Sequence, residues 1–427
     1  MWYFRNKLIL MNLKIRQMKN KGFTTHSLNV PYSKKDPHNS LLMPLYEAVA
    51  FEFDSAEQIE ANFRGEFVAH AYSRSSSPTV EYFELKMKSL LDAHGVLAVS
   101  SGMAAISNAI LAIAKNGDNI ISGHQLFGHT YALFTQTFNE LGIEFRFSTL
   151  QHEEEIETHI DENTRAIYFE TVTNPQLEIA DIEMLSNVAR KYNLILIADS
   201  TLTPPNVFHG VQFGVDVEVI SATKYISGGA TCFGGVIADY GSYNWNLNTN
   251  FKNFTEKFGS NAFISKLRKN IYRNTGGSMA PQTANYLIHG LDIMELRVEK
   301  CYKNCMALGS FLQTRPEVRR VGYPGLETAW QYALAVKYFS GKPGTILTFN
   351  LHSKEACYNF MNRLKIIRRA TNLNDNKSLI IHPYSTIYAE FTEEERRKSG
   401  ISDTMLRLSA GIENTEDLID DISNALG

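Results

Sequence analysis

The chain has 427 residues, 44% of them hydrophobic and 20% charged, an ordinary globular make-up in a chain long enough for more than one domain. A net charge of −3 leaves no basic footprint for nucleic acid, and no apolar run approaches the roughly 20 residues that a membrane span needs. Four cysteines (Cys232, Cys301, Cys305 and Cys357) are too few for a disulfide framework at this length and fit a reducing, cytoplasmic setting. Cys301 and Cys305 are one helical turn apart without a histidine pair at ligand spacing, so no metal site is expected.

The start, MWYFRNKLILMNLKIRQMKNKG, is basic, and its apolar patch is too short for a signal-peptide core. It reads as a disordered basic leader, with Met11 and Met18 as alternative starts. Residues 1–65 read as an extended arm with a few turns. PTVEYFELKMKSLLDAHG then gives an amphipathic helix, with Val80, Phe83, Met87, Leu90 and Leu91 near one face. From there, strands and helices alternate: GVLAVSSG, the helix MAAISNAILAIAKNGD, NIISGH, a helix in YALFTQTFNELG, EFRFSTL, a helix near EEEIETHIDEN, RAIYFETV, the helix DIEMLSNVARKYN and LILIADST. DVEVISATK and FGGVIAD add two more strands. Strands that are apolar on both faces and alternate with helices predict an α/β domain over residues 66–275, with a mainly parallel sheet covered on both sides. The pattern changes near residue 276. APQTANYLIHGLDIMELRVEKCYKNCMALGSFLQTRP reads as one long helical stretch able to bridge two domains, and residues 276–427 read as a smaller α+β domain with strands in GTILTFNL, KSLIIHP and TMLRLSAG.

Three elements carry chemistry. In SATKYISGG, Lys224 ends an apolar strand among small residues, where an unpartnered ammonium is costly to bury and a Schiff-base lysine is well placed. In LILIADST, Asp199 ends another apolar strand, where a carboxylate can pair with a protonated pyridine nitrogen. In AVSSGMAAISNAIL, Ser101, Gly102 and Met103 open a helix whose free N–H groups suit a phosphate, with Ser221 and Thr223 as added hydroxyl donors. Each element alone is common and has an ordinary structural reading. Together, in this chain order, they point to pyridoxal 5′-phosphate (PLP).

The series YSRSSSPT, SSGM, LFGHT, ETVTNPQ, ADST, SATKYISGG and LRLSAG resembles the Cys/Met-metabolism family of PLP enzymes from about Pro44 to the C-terminus. The resemblance implies the aspartate-aminotransferase-like fold (fold type I), with a seven-stranded type of sheet and a smaller C-terminal domain. It implies a Schiff base on Lys224, a pyridinium partner in Asp199, Thr201 beside the ring and Asn174 near the phenolic oxygen. It also implies that Arg407 grips the substrate carboxylate. Tyr72 and Arg74 match residues that reach the phosphate of a neighbouring subunit's cofactor, implying an obligate dimer and usually a tetramer. The C-terminal half is most similar to O-acetylhomoserine sulfhydrylases, and Asn372, which stands where methionine gamma-lyases have serine, favours the same side.

Three departures bear on the reaction. The family's tyrosine in LFGHT is Phe127, its Gly-Gly-His-Gly is Ser227-Gly228-Gly229-Ala230, and its Asn-Pro-Thr is Ser77-Pro78-Thr79. Loss of an acid/base phenol at Phe127 disfavours a thiolate leaving group more than a carboxylate. His129 is the alternative acid, although a surface or capping role is the more ordinary one for a lone histidine. The expected reaction is gamma-replacement on an O-acyl homoserine by sulfide or a thiol. The alternatives are gamma-elimination from methionine or homocysteine, cystathionine gamma-synthesis, and a PLP-binding paralogue with little catalysis.

Overall fold

A computed structural model describes residues 20–32 and 36–427. Residues 1–19 of the basic leader, with Met11 and Met18, lie outside the described residues. Seven strands form the larger sheet: β1 (Gly95–Val99), β2 (Asn119–Gly123), β3 (Glu144–Ser148), β4 (Thr164–Glu170), β5 (Ile195–Asp199), β6 (Val217–Ile220) and β7 (Gly235–Asp239). Their order is β1-β7-β6-β5-β4-β2-β3, and β7 alone runs against its neighbours. Apolar side chains on both faces of these strands require cover on both sides. One layer contains Phe83, Met87 and Leu91 with Leu196, Ala198 and Val236. The other contains Ile106, Ala109, Ile113 and Phe134 with Leu97, Tyr168 and Ile197. All five residues expected on the inner face of helix Pro78–Leu91 are buried.

The expected long helix at residues 280–316 is two helices, Pro281–Asp292 and Met294–Gln313, broken at Ile293. Asp292 accepts a 2.9 Å hydrogen bond from Ser27 Oγ and also binds Lys86 Nζ, so the break faces an anchoring site for the N-terminal segment. The second helix does bridge: Met294 and Val298 join the core of the larger sheet, while Cys305, Leu308 and Leu312 join that of the smaller. The smaller sheet consists of β8 (Arg320–Gly322), β9 (Ile346–Asn350), β10 (Arg368–Arg369), β11 (Leu379–Ile381) and β12 (Met405–Ser409), ordered β10-β11-β12-β9-β8. The arm is more structured than its sequence implies, with helices Phe23–Leu28 and Ala56–Arg64. Ser55 caps the latter by accepting from Gln58 N, and Gly65 closes it with φ +79°.

Candidate active site

Open parallel sheets collect ligands beyond the carboxyl ends of their strands. Here β4, β5 and β6 end at Glu170, Asp199 and Ile220, and their ends face a cavity of about 1090 Å³. Of the fourteen residues expected to hold cofactor or substrate, twelve line it: Ser101, Gly102, Met103, Phe127, Asn174, Asp199, Thr201, Ser221, Thr223, Lys224, Asn372 and Arg407. Tyr72 and Arg74 do not. They are exposed in the segment between the arm and helix Pro78–Leu91, with the Arg74 guanidinium 5.5 Å from the Tyr72 ring centre and Arg74 Nη1 donating to Arg273 O at 2.6 Å.

The anion end is built by close backbone approach. Helix Gly102–Ile113 begins against Ser221, and a Cβ on Gly102 would sit 2.7 Å from Ser221 Cβ. Only glycine lets the helix N-terminus and the Ser221–Thr223 turn converge. Ser101 caps the helix, its Oγ accepting from Ala104 N at 3.0 Å. Thr223 Oγ1 accepts from Gly234 N at 3.1 Å, which fixes the turn before Lys224.

Asp199 Oδ1 accepts from Thr201 N at 3.0 Å and Oδ2 from Tyr168 Oη at 3.1 Å. Burial pushes its carboxyl above the usual range against these donors, so a cation at this point in the cavity would meet an unpaired acid. Thr201 Oγ1 accepts from Ser221 N at 2.9 Å, tying the acid's turn to the anion end.

Lys224 Nζ donates to Asn372 Oδ1 at 2.8 Å. Burial first, and then the charge of Arg407, push this amine down to about 8, opposed by Asp375. Only a neutral amine attacks a carbonyl. Capture of the cofactor by the apoenzyme is therefore expected to rise about tenfold per pH unit below 8 and to level off above it. A stopped-flow profile that keeps rising to the ordinary lysine range would contradict this.

Arg407 sits on β12, 2% exposed. Nη1 donates to Asn174 Oδ1 at 3.0 Å, and Nη2 to the carbonyls of Thr371 and Asn372 at 3.2 Å each. Burial lowers it to about 10, which leaves it cationic at neutral pH. Among the described residues no acid pairs with it, and its Nε is buried without a partner. A guanidinium in this state is completed by a carboxylate ligand.

Phe127 lines the cavity, and its backbone N donates to Glu170 Oε1 at 2.7 Å. His129 is exposed at the cavity wall, its ring edge-on to Phe127 at 5.1 Å. Of the departures after the lysine, Gly229 fits its surroundings. Gly229 has φ +129°, a Cβ there would meet Asn376 Nδ2 at 2.4 Å, and that amide donates to Gly228 O at 2.7 Å. Asn376 thus fills the space that a side chain at position 229 would need. Among the described residues Ser77 Oγ is buried with no partner, and it makes no cap bond to helix Pro78–Leu91. Glu170, Thr371 and Thr386 also line the cavity and were not singled out from sequence.

A helix N-terminus, an unpaired acid and a buried amine at one end of the cavity fit the phosphate, ring nitrogen and aldehyde of PLP, with an unpaired guanidinium left for a substrate. The chain matches the Cys/Met metabolism PLP-dependent enzyme family over residues 24–427, and it belongs to that family. It is 33% identical to an L-methionine gamma-lyase of Pseudomonas putida, covering 95% of this chain and 97% of that protein. The solved O-acetylhomoserine sulfhydrylase of Wolinella succinogenes is 43% identical, with a TM-score of 0.75, over 83% of this chain and 99% of that one. A putative O-acetylhomoserine (thiol)-lyase of Campylobacter jejuni, solved with a pyridoxyl-lysine monophosphate, is 32% identical with a TM-score of 0.90, over 95% and 99%. The protein is a PLP-dependent enzyme of fold type I.

Proposed function

We propose that this enzyme catalyses gamma-replacement on O-acetylhomoserine, with sulfide or a thiol, giving homocysteine or methionine plus acetate. The observation that carries the choice is Phe127: a ring stands in the cavity wall where a proton-donating phenol would serve a poor leaving group. Acetate leaves as a carboxylate and needs no such donor, whereas methanethiolate does. The 43% identity to a sulfhydrylase supports the same choice. Elimination from methionine or homocysteine is the second reading, favoured by the likeness to the Pseudomonas putida lyase. Cysteine as the incoming thiol would make the product cystathionine.

When bound on Lys224, PLP supplies the electron sink that makes the substrate's α and then β protons removable. Ser101, Gly102, Met103, Ser221 and Thr223 would hold its phosphate, Asp199 its ring nitrogen, with Thr201 and Phe127 beside the ring and Asn174 near its phenolic oxygen. Arg407 grips the substrate carboxylate, and Asn372 braces that grip through its carbonyl while its amide oxygen holds the Lys224 amine. The released amine is the base for the α proton and carries it within the cavity. Acetate then departs from the γ carbon, where sulfide or a thiol adds.

The reading extends to a homodimer in which Tyr72 and Arg74 reach the partner's cavity, assembled into a tetramer, in the cytoplasm. The exposed apolar residues Leu41, Val49 and Phe63 on the arm, and Val68 just after it, all 65–100% exposed, accord with such an interface. The division into arm (1–65), PLP-binding domain (66–275) and C-terminal domain (276–427) belongs to the same reading and accords with confinement of the two sheets to 95–239 and 320–409.

Steady-state comparison tests the choice of reaction. O-acetylhomoserine with sulfide should exceed methionine alone by more than about tenfold in kcat/KM, and a Phe127→Tyr variant should gain more on methionine, within the roughly 10²–10⁴-fold range of one proton donor. Equal gains on both substrates would remove the Phe127 argument. If His129→Ala leaves turnover unchanged, that histidine is not the substitute acid.

A further inference from the structure

Glu170 ends β4 directly beside Asp199, which ends β5; the two are register partners across parallel strands. It is 8% exposed and lines the cavity. Its Oε1 accepts from Phe127 N at 2.7 Å, and the backbone N–H of Asn174 also approaches it. Asn174 in turn orients Arg407 through its side chain. One carboxyl thus bonds the loop carrying the aromatic ring and lies beside the one carrying the brace of the guanidinium. No cation pairs with it among the described residues. Two adjacent buried carboxylates facing a single cofactor cation leave one charge uncompensated, and Asp199 is the one that faces the ring-nitrogen position. Burial and the Asp199 charge both push the Glu170 carboxyl well above its usual range.

We propose that Glu170 is a positioning residue that pins the Phe127 and Asn174 segments to the end of the sheet, serving as a hydrogen-bond acceptor rather than as a charge. The inference rests on the proposed function for what Phe127 and Arg407 do, although the pinning itself does not depend on the substrate. A glutamine offers the same acceptor at nearly the same size, so Glu170→Gln should keep kcat/KM on O-acetylhomoserine with sulfide within about threefold of wild type. Glu170→Ala leaves the Phe127 N–H without its acceptor and removes the carboxyl beside the Asn174 N–H. It should raise KM about tenfold or more, with a smaller change in kcat, and reduce the visible circular dichroism of the bound cofactor, which reports ring placement.

Three readouts on the holoenzymes decide the matter: KM against kcat, visible circular dichroism and the thermal midpoint. Glutamine rescue of both the KM and the dichroism overturned by alanine would establish the role. Loss in Glu170→Gln equal to that in Glu170→Ala would show that the charge is needed and overturn it. So would an unchanged dichroism and KM in Glu170→Ala. Wild type that binds PLP but does not turn over O-acetylhomoserine would instead be a failure of the proposed reaction, and the dichroism of the two variants would still test the pinning.

Discussion

Lys224→Ala is expected to lower kcat/KM on O-acetylhomoserine with sulfide by at least about 10⁴-fold, the upper end of what one acid/base group supplies. The size follows from a double duty. In the proposed mechanism the amine is both the covalent anchor and the base for the α proton, and among the described residues no other lysine lines the cavity. Folding should not suffer. A lysine pushed down to about 8 by burial binds a proton less readily when folded, so it opposes folding below that pH. The penalty fades as pH rises from 8 towards the ordinary value of 10.5. Its removal should leave the thermal midpoint at pH 7 unchanged or higher, and the visible band of the lysine-linked cofactor should vanish. A variant that keeps the band and turns over would place the anchor elsewhere.

Arg407→Ala carries the second large effect. Truncating one member of a buried, hydrogen-bonded charge pair costs about 2–5 kcal/mol, or roughly 30-fold to several thousand-fold in affinity. On the proposed role the substrate carboxylate is gripped alike before and during the reaction, so the loss should appear mainly in KM. Arg407→Lys keeps the charge, but it cannot bond Asn174, two carbonyls and a carboxylate together, so it should recover only part of the loss. A KM unchanged in both variants would remove Arg407 from substrate binding.

What was legible in the sequence had a local signature. Asp199 ends an apolar strand, Ser101–Met103 open a helix, and Lys224 follows the strand that ends at Ile220 by a short turn; strand ends face the ligand in such sheets. Glu170 bears the same mark as Asp199, an acid closing an apolar run, and could have been found by that rule. Thr371 and Asn376 bear none: they act from the smaller domain, some 150 residues beyond the lysine, through carbonyl and amide contacts that only the fold creates. The strands β8 and β10, of three and two residues, are too short for any alternation to register. The break at Ile293 was hidden because its flanks are both good helix; beside it Asp292 binds Ser27 and Lys86, contacts that only the fold creates. Phe127 and Arg407 could be singled out only through family likeness, because nothing in their own neighbourhoods distinguishes them from core residues.

The most direct test of the account is the product balance of the PLP-loaded enzyme given O-acetylhomoserine and sulfide. Homocysteine and acetate, each equal to the ester consumed, are the result expected. Conversion chiefly to 2-oxobutanoate and ammonia, with sulfide present and little homocysteine formed, would contradict gamma-replacement and make the protein a lyase.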